Sequence, residues 1–463
     1  MTEQLKLKLN DSKATRWGAL VIVAFTMMAA YYVNDVVAPL KTMLETDLAW
    51  SSTDFGFFTG GYSFLNVFFL MLIWGGLILD RFGIRFTGKL ATILMVGGTA
   101  LEYYAMTGLA GADATLFGIN EIFGYKTGVF VAFAGYSIFG VGAEVAGITV
   151  SKIINKWFKG KELATAMGVQ VALARIGSQA GYAVAIPLAR AFGISTPVLL
   201  GLVLLLGGMI AFFVFAVMDK KLDKQMEAAA IAAGTEDEEE KFSFKDVKNI
   251  LVNPGFWLIA LLCVLFYSCV FPFQKFASEL MIIKYGINEN VAGTFAGLPA
   301  LGALILTPVF GGFIDKRGKS ASIMLLGSAM LICVHFIYAI PDINYWLVAI
   351  VLMIILGIAF SLVPSAMWPA VAKIFPVSQL GTAYALIFFI QNIGLWGIPT
   401  LIGWVLDAYC ISGKKPDGTN MYDYTVPMCI FTGIACLSLI VALLLKKADK
   451  KYGYKLEEPN IQK

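Results

Sequence analysis

The sequence predicts an all-α membrane protein whose twelve transmembrane helices form two pseudo-symmetric halves of six. Three observations carry this. Of 463 residues, 59% are hydrophobic and 14% charged, and the mean hydropathy is +0.77, whereas a soluble domain has roughly 45–50% apolar and about 25% charged residues. Twelve apolar runs, each near the roughly 20 residues a span needs, are centred near Phe25, Phe69, Gly97, Phe139, Arg175, Gly207, Tyr267, Leu304, Ala329, Ile354, Ile390 and Ser438. A motif of glycine, acid and bases recurs after 235 residues, about half the chain, which marks an internal repeat. Barrel strands would alternate in polarity every second residue, and these runs do not.

The halves are expected at residues 17–219 and 254–446, with a polar linker at 220–253 and tails at 1–16 and 447–463. A cytoplasmic N-terminus places 27 of the 35 Lys and Arg on the cytoplasmic side, so the positive-inside rule predicts both termini there. The first apolar run is too long for a cleavable signal. The net charge of +4 follows from basic loops dispersed along the membrane and implies no nucleic-acid partner. The six cysteines lack CxxC spacing and His335 is the single histidine, so neither a metal site nor any other cofactor is implied. The Gly-Lys-Ser at 318–320 is not a phosphate loop, because five residues instead of four lie between Gly312 and Gly318.

Span 1 turns polar at Tyr31, Tyr32, Asn34 and Asp35 before Pro39, so its outer third is expected to face a wet cavity, with Tyr32 and Asp35 as candidate substrate contacts; an interfacial aromatic belt would also account for Tyr31. Span 2 carries Tyr62 and Asn66 as further candidates, beside Gly60 and Gly61, which suit close helix packing. The turn after it reads Gly76-x-x-x-Asp80-Arg81-x-Gly83-x-Arg85, and its echo is Gly311-x-x-x-Asp315-Lys316-Arg317-Gly318. Span 3 holds Glu102 toward its outer end, either facing a cavity or snorkelling to the interface.

Spans 4 and 5 each hold one ionised residue inside an apolar run, Glu144 and Arg175. A charge near the middle of a membrane helix costs roughly 2.5–3.5 kcal/mol on insertion scales, so it persists where it pairs or faces a polar cavity. Counting about 1.5 Å per residue from the intervening basic turn puts Glu144 about 12 Å and Arg175 about 20 Å from the inner surface. A buried salt bridge between them is the structural alternative, and it seldom outweighs apolar packing.

The linker ends in the acidic run Thr235 to Glu240, read as solvated chain. Span 7 is broken by Pro272 and presents Tyr267, Gln274, Lys275 and Glu279, the last two spaced to pair with each other. Spans 10 and 11 add Trp368, Gln391 and Asn392, which could donate to a substrate or join helices. The outer loop from Ala408 to Thr425 is turn-rich and expected to be flexible.

The doubled turn motif resembles that of the major facilitator superfamily, whose inner loop between spans two and three carries it. The resemblance implies the major facilitator fold, a substrate site between the halves near the midplane, and an inner latch. Gly76, Asp80, Arg81, Gly83, Arg85, Asp315 and Arg317 would form that latch, with Asp80 opposite the N-terminus of span 11, where the helix dipole favours an anion. Phe139-Gly140-x-Gly142-x-Glu144, Trp157 to Leu163, Ala174 to Ser178, Val270 to Phe273 and Trp368-Pro369 further resemble a dipeptide-transporting branch known from lysosomes and its bacterial relatives. The span-four arginine of superfamily antiporters is here Tyr136, so a coupling role does not carry over. The short N-terminal tail has no dileucine sorting signal, which points to a bacterial cytoplasmic membrane.

A dipeptide is a zwitterion, so a pocket within hydrocarbon needs one fixed anion and one fixed cation, and Glu144 and Arg175 supply them. The expected function is a secondary transporter of dipeptides or similar small zwitterions, not an enzyme, with a small molecule and the lipid bilayer as partners. Two other readings remain at this point: a proton-coupled transporter of small organic anions using Arg175 and Lys275, and a receptor that binds without moving its ligand.

Overall fold

A computed structural model describes residues 8–111, 114–158, 161–233 and 244–460. Span 1 is Lys13–Val36, continued by a single 3-10 turn and the short helix Lys41–Asp47. Span 2 begins as Ser52–Phe68, breaks at Phe69 and Leu70 with a bend of 58°, and resumes in a helix, Met71–Thr107, that also contains span 3 beyond a kink at Gly83. Spans 4, 5 and 6 are Thr127–Phe158, Leu163–Phe192 and Thr196–Ala233. After the short helix Phe244–Val252 come span 7, Pro254–Tyr285, and span 8, Glu289–Ala296 with Leu298–Arg317. Spans 9 to 12 are Ser320–Ala339, Trp346–Ile374, Val377–Tyr409 and Thr425–Tyr452.

Among the described residues, nine helices are long and apolar enough to cross a membrane unaided. The other three spans of the twelve are the kinked spans 2 and 3 and the more polar span 5, which packs along span 1. The face that carries both described chain ends is here the inner face. Span 6 continues as helix beyond the expected end at Asp219 to Ala233, because Lys220 to Glu227 is helix-favouring and charged enough to leave the membrane. The acidic run lies outside the described residues. After span 12 the chain folds back across the inner ends of spans 8 and 9, where Lys319 N–H donates to Glu457 O (3.1 Å) and Ser320 N–H to Leu456 O (3.0 Å).

The second glycine of each copy of the repeated motif has the same backbone task. Gly83 (φ 73°, ψ 174°) and Gly318 (φ 70°, ψ −135°) turn the chain between consecutive spans in a region of φ/ψ space that is essentially restricted to glycine. The two halves therefore reuse one device. Alanine at either position is expected to destabilise the fold by about 1–3 kcal/mol. The larger loss is expected at Gly318, where a Cβ would come within 2.4 Å of the Glu458 backbone, whereas at Gly83 it meets open space. Thermal unfolding in detergent reads this, and melting temperatures equal to the parent for both variants would refute it.

At the outer face the halves are fastened to each other. Asp407, at the end of span 11, accepts from Ser52 N–H (3.3 Å), Thr53 N–H (2.6 Å) and Thr53 Oγ1 (2.6 Å). An anion thus caps the N-terminus of span 2, where the helix dipole favours it. Close packing joins the same two helices, for Gly56 lies against Pro399 and Gly403. The outer loop expected to be flexible instead forms an antiparallel hairpin, Ile411–Lys414 with Asn420–Tyr422. Asp417 and Gly418 (φ 85°) make its turn, and Tyr422 Oη donates to Asp407 (2.7 Å), tying it to the fastening.

Candidate functional site

A cavity of about 250 Å³ lies between the halves. The N-terminal half gives it Tyr31 and Asn34 from span 1, Tyr62 from span 2, Tyr136 and Glu144 from span 4, and Arg175 from span 5. The C-terminal half gives Tyr267, Phe271 and Lys275 from span 7, Trp368 from span 10, and Phe388 and Gln391 from span 11. The N-terminal wall sets Glu144 and Arg175 among tyrosines, and the C-terminal wall is mainly aromatic apart from Lys275 and Gln391.

Glu144 reaches the cavity because span 4 lies tightly against span 2, where Gly140 leaves no room for a Cβ beside Tyr62 O. Tyr62 Oη donates to Glu144 Oε1 at 3.0 Å. The Arg175 guanidinium lies over the Tyr31 ring (5.7 Å to the centroid) and the Phe360 ring (4.9 Å). Such cation–π contacts hold a guanidinium in place without neutralising it. Glu144 and Arg175 form no ion pair among the described residues, so the salt-bridge alternative is not realised in this conformation. Both charges are presented to the cavity.

Lys275 departs from the expected pairing with Glu279. Its Nζ donates to Asn34 O (2.6 Å), Asp35 Oδ1 (3.3 Å) and Tyr136 Oη (3.3 Å). Glu279 instead pairs with Lys41 (2.5 Å), which also binds Glu45, while Tyr424 Oη donates to Glu279 and Lys415 stands 3.6 Å from both carboxylates. The reason is charge order across the interface: Asp35 and Lys41 on the span 1 side oppose Lys275 and Glu279 on span 7, so each charge finds its complement in the other half. Lys275 also brings a cation to Tyr136, the position at which the resemblance implies an arginine.

Of the residues singled out from sequence, Glu144, Arg175, Tyr62, Tyr267, Lys275, Trp368 and Gln391 line the cavity, and Asp35 adjoins it through Lys275. Tyr32, Asn66, Gln274 and Asn392 are not among its lining residues. Tyr32 points to span 6, where its hydroxyl donates to Pro197 O (3.2 Å), and Asn392 Nδ2 turns back to Phe388 O (2.9 Å) on its own helix. Asn66 and Gln274 are buried in helix packing. Glu102 neither lines the cavity nor snorkels; it is 0% exposed. Tyr31, Asn34, Tyr136, Phe271, Phe360 and Phe388 were not singled out as contacts. Met27, Ala30, Tyr31 and Asn34 recur at helical spacing, which is the signal that could have found the span 1 face.

The motif residues lie at the inner face. Asp80 accepts from Lys152 Nζ (3.1 Å) within its own half, with 65% of its side chain exposed. This differs from the placement opposite span 11 that the resemblance implies; the corresponding contact is made at the outer face by Asp407. Arg85 bonds Asp219 (3.4 Å) and Asp223, Asp315 accepts from Asn460 Nδ2 (2.8 Å), and Arg81 and Arg317 lie over Phe82 and Phe313. Gly76 faces open space. An inner latch would form only when the inner ends meet, so Asp80→Asn is expected to increase thiol labelling of cysteines placed along the inner half of span 2. Labelling equal to the parent in folded protein would refute this.

Comparisons with known proteins agree with this architecture. The human lysosomal dipeptide transporter MFSD1 is 29% identical over 454 residues, covering 95% of this chain and 88% of its own. The hexuronate transporter of Bacillus subtilis (strain 168) is 22% identical over 403 residues, 84% of this chain and 88% of its own. Among solved structures, the nucleoside transporter NupG superposes with a TM-score of 0.68 at 12% identity, covering 92% of this chain and 98% of its own. The peptide transporter POT superposes with a TM-score of 0.66 at 14% identity, covering 95% and 94%. The sequence profile described as Major Facilitator Superfamily matches residues 20–399 and again 276–458. With its twelve spans, repeated turn motif and central cavity, the chain belongs to that superfamily, as a multi-pass membrane transporter of a small molecule.

Proposed function

We propose that this transporter moves dipeptides, or small zwitterions of similar length, by alternating access. The observation that carries the reading is that Glu144 and Arg175 both face the cavity without pairing with each other. Glu144 receives the peptide ammonium and Arg175 its carboxylate, while the side chains lie against Tyr267, Phe271, Trp368 and Phe388. Charge selects the two termini, and the aromatic side chains of the C-terminal wall, where Lys275 is engaged by Asp35, tolerate varied peptide side chains. The relative named as a dipeptide transporter, which this chain matches nearly end to end, supports the same substrate class.

A small-anion substrate fits this cavity less well. Lys275 is already engaged by Asp35, and an ionised Glu144 would repel a second carboxylate. The conformation described here is closed at the outer face, and the opposite state would release the Asp407 and Lys41 contacts. We infer that both termini lie on the cytoplasmic side of the membrane, on the distribution of Lys and Arg.

Counterflow into proteoliposomes tests the function. Preloaded unlabelled dipeptide should drive entry of labelled dipeptide, and a monocarboxylate should not. Counterflow of the monocarboxylate alone would favour the organic-anion reading, and binding without counterflow would favour a receptor.

A further inference from the structure

A clamp on two charged termini does not distinguish a dipeptide from other amino acids of the same length. Glycyl-glycine and δ-aminovalerate, for example, separate the ammonium nitrogen from the carboxyl carbon by the same number of bonds. What differs is the peptide bond, whose carbonyl oxygen and N–H lose water on entering the cavity and are costly to leave unpaired. A site for peptides therefore needs a third group, neutral and polar, facing the space between the clamping charges.

Gln391 meets these conditions. Span 11 turns Phe388, Gln391, Leu395 and Pro399 to the cavity at helical spacing. Gln391 lies 14 residues from the inner end of its helix at Val377, Glu144 lies 14 from Phe158, and Arg175 lies 12 from Leu163. At about 1.5 Å per residue these depths agree to about 3 Å, so the amide stands across the cavity from the two charges, at their level. Its orientation is fixed from behind, where Cys263 Sγ on span 7 donates to Gln391 Oε1 (3.4 Å). The amide nitrogen is thereby turned away from span 7. Gln391 is 8% exposed, and among the described residues Nε2 has no hydrogen-bond partner, although it borders the cavity. A thiol is a weak donor, so the Cys263 contact alone does not account for an amide in an aromatic wall. The other amide lining the cavity, Asn34, is engaged within its own half, its Nδ2 donating to Asp35 Oδ1 (2.8 Å).

We propose that Gln391 reads the peptide bond, its Nε2 donating to the carbonyl oxygen of a substrate held between Glu144 and Arg175. The site then takes dipeptides and also their ketomethylene analogues, which keep that oxygen, and discriminates against amino acids of equal length that lack it. The peptide N–H plays no part in this contact. The assignment rests on the dipeptide reading of the cavity.

Isothermal titration of the full chain in detergent tests it with glycyl-glycine, δ-aminolevulinate and δ-aminovalerate. The second has a ketone in place of the amide and the third has neither, so these two are equally flexible and differ by one oxygen. Both carbonyl ligands should bind the parent about ten- to a hundredfold more tightly than δ-aminovalerate. Gln391→Leu should erase the advantage of δ-aminolevulinate while leaving δ-aminovalerate at its parental affinity, and Gln391→Met, of similar length to glutamine, should do the same if the leucine variant fails to fold. A role confined to joining spans 7 and 11 would instead weaken all three ligands by one factor, and that result would overturn the proposal. Equal binding of δ-aminolevulinate and δ-aminovalerate to the parent would overturn it without any variant, as would a carbonyl preference that survives in Gln391→Leu. If neither glycyl-glycine nor alanyl-alanine binds the parent, the dipeptide reading fails and this assignment with it, whereas binding without discrimination overturns the assignment alone.

Discussion

Glu144→Gln and Arg175→Ala are each expected to abolish measurable binding of zwitterionic dipeptides while leaving the protein inserted and folded. Either change leaves one substrate terminus charged and unpartnered in the cavity between the halves. Removing one member of a buried ion pair costs about 3–5 kcal/mol, which is more than a hundredfold in affinity. Folding is expected to survive because the two residues do not hold each other: Glu144 is bonded by Tyr62, and Arg175 is packed between Tyr31 and Phe360. A thermal-shift titration with alanyl-alanine reads both consequences at once. Variants that melt well below the parent without ligand, yet bind the peptide at parental affinity, would show the charges to be structural.

The second large effect is expected at the outer face. Lys41 is the cation shared by Glu45 and Glu279, and all three side chains are buried. Lys41→Ala leaves two carboxylates facing Lys415 alone, 3.6 Å from each. The lost pairing, again about 3–5 kcal/mol, falls on the outer-closed arrangement, because opening would expose the same carboxylates to water. That is comparable with the few kcal/mol separating conformations of a two-state protein, so the population should move toward an outward-open form. Spin labels at Glu121 and Asp342, exposed outer-face positions in opposite halves, should show a new, longer distance in Lys41→Ala. An unchanged distance distribution in folded variant would contradict the assignment of this cluster as the outer fastening.

Much of the fold was legible in the sequence for a simple physical reason. In a membrane the length and polarity of each run are set by the bilayer, so twelve spans can be read locally. The repeated turn motif was legible because its second glycine supplies a backbone conformation that other residues avoid, at Gly83 and again at Gly318. The centre of the cavity was legible too, since Glu144 and Arg175 are too costly to bury without a use.

What sequence could not supply was the partner of each charge. Lys275 and Glu279 look like neighbours on one helix turn, but their complements, Asp35 and Lys41, arrive from the other half and divide them. Asn66 and Asn392 looked like substrate contacts because amides stand out in apolar helices, yet side-chain direction turned both into helix packing. The phenylalanines of the aromatic wall and the one beside Arg175 were hidden for the opposite reason. In a chain with 35 Phe, Phe271, Phe360 and Phe388 are distinguished by position and not by type. The outer hairpin was hidden because the Asp407 and Tyr422 contact that orders it is tertiary.

The central claim is that Glu144 and Arg175 each hold one terminus of the substrate, and blocked peptides test it most directly on the unmodified protein. Isothermal titration should find that alanyl-alanine binds, that N-acetyl-alanyl-alanine loses more than a hundredfold in affinity for want of an ammonium for Glu144, and that the C-terminal amide loses a similar factor for want of a carboxylate for Arg175. Binding of the N-acetyl peptide at the affinity of the free dipeptide would contradict the clamp.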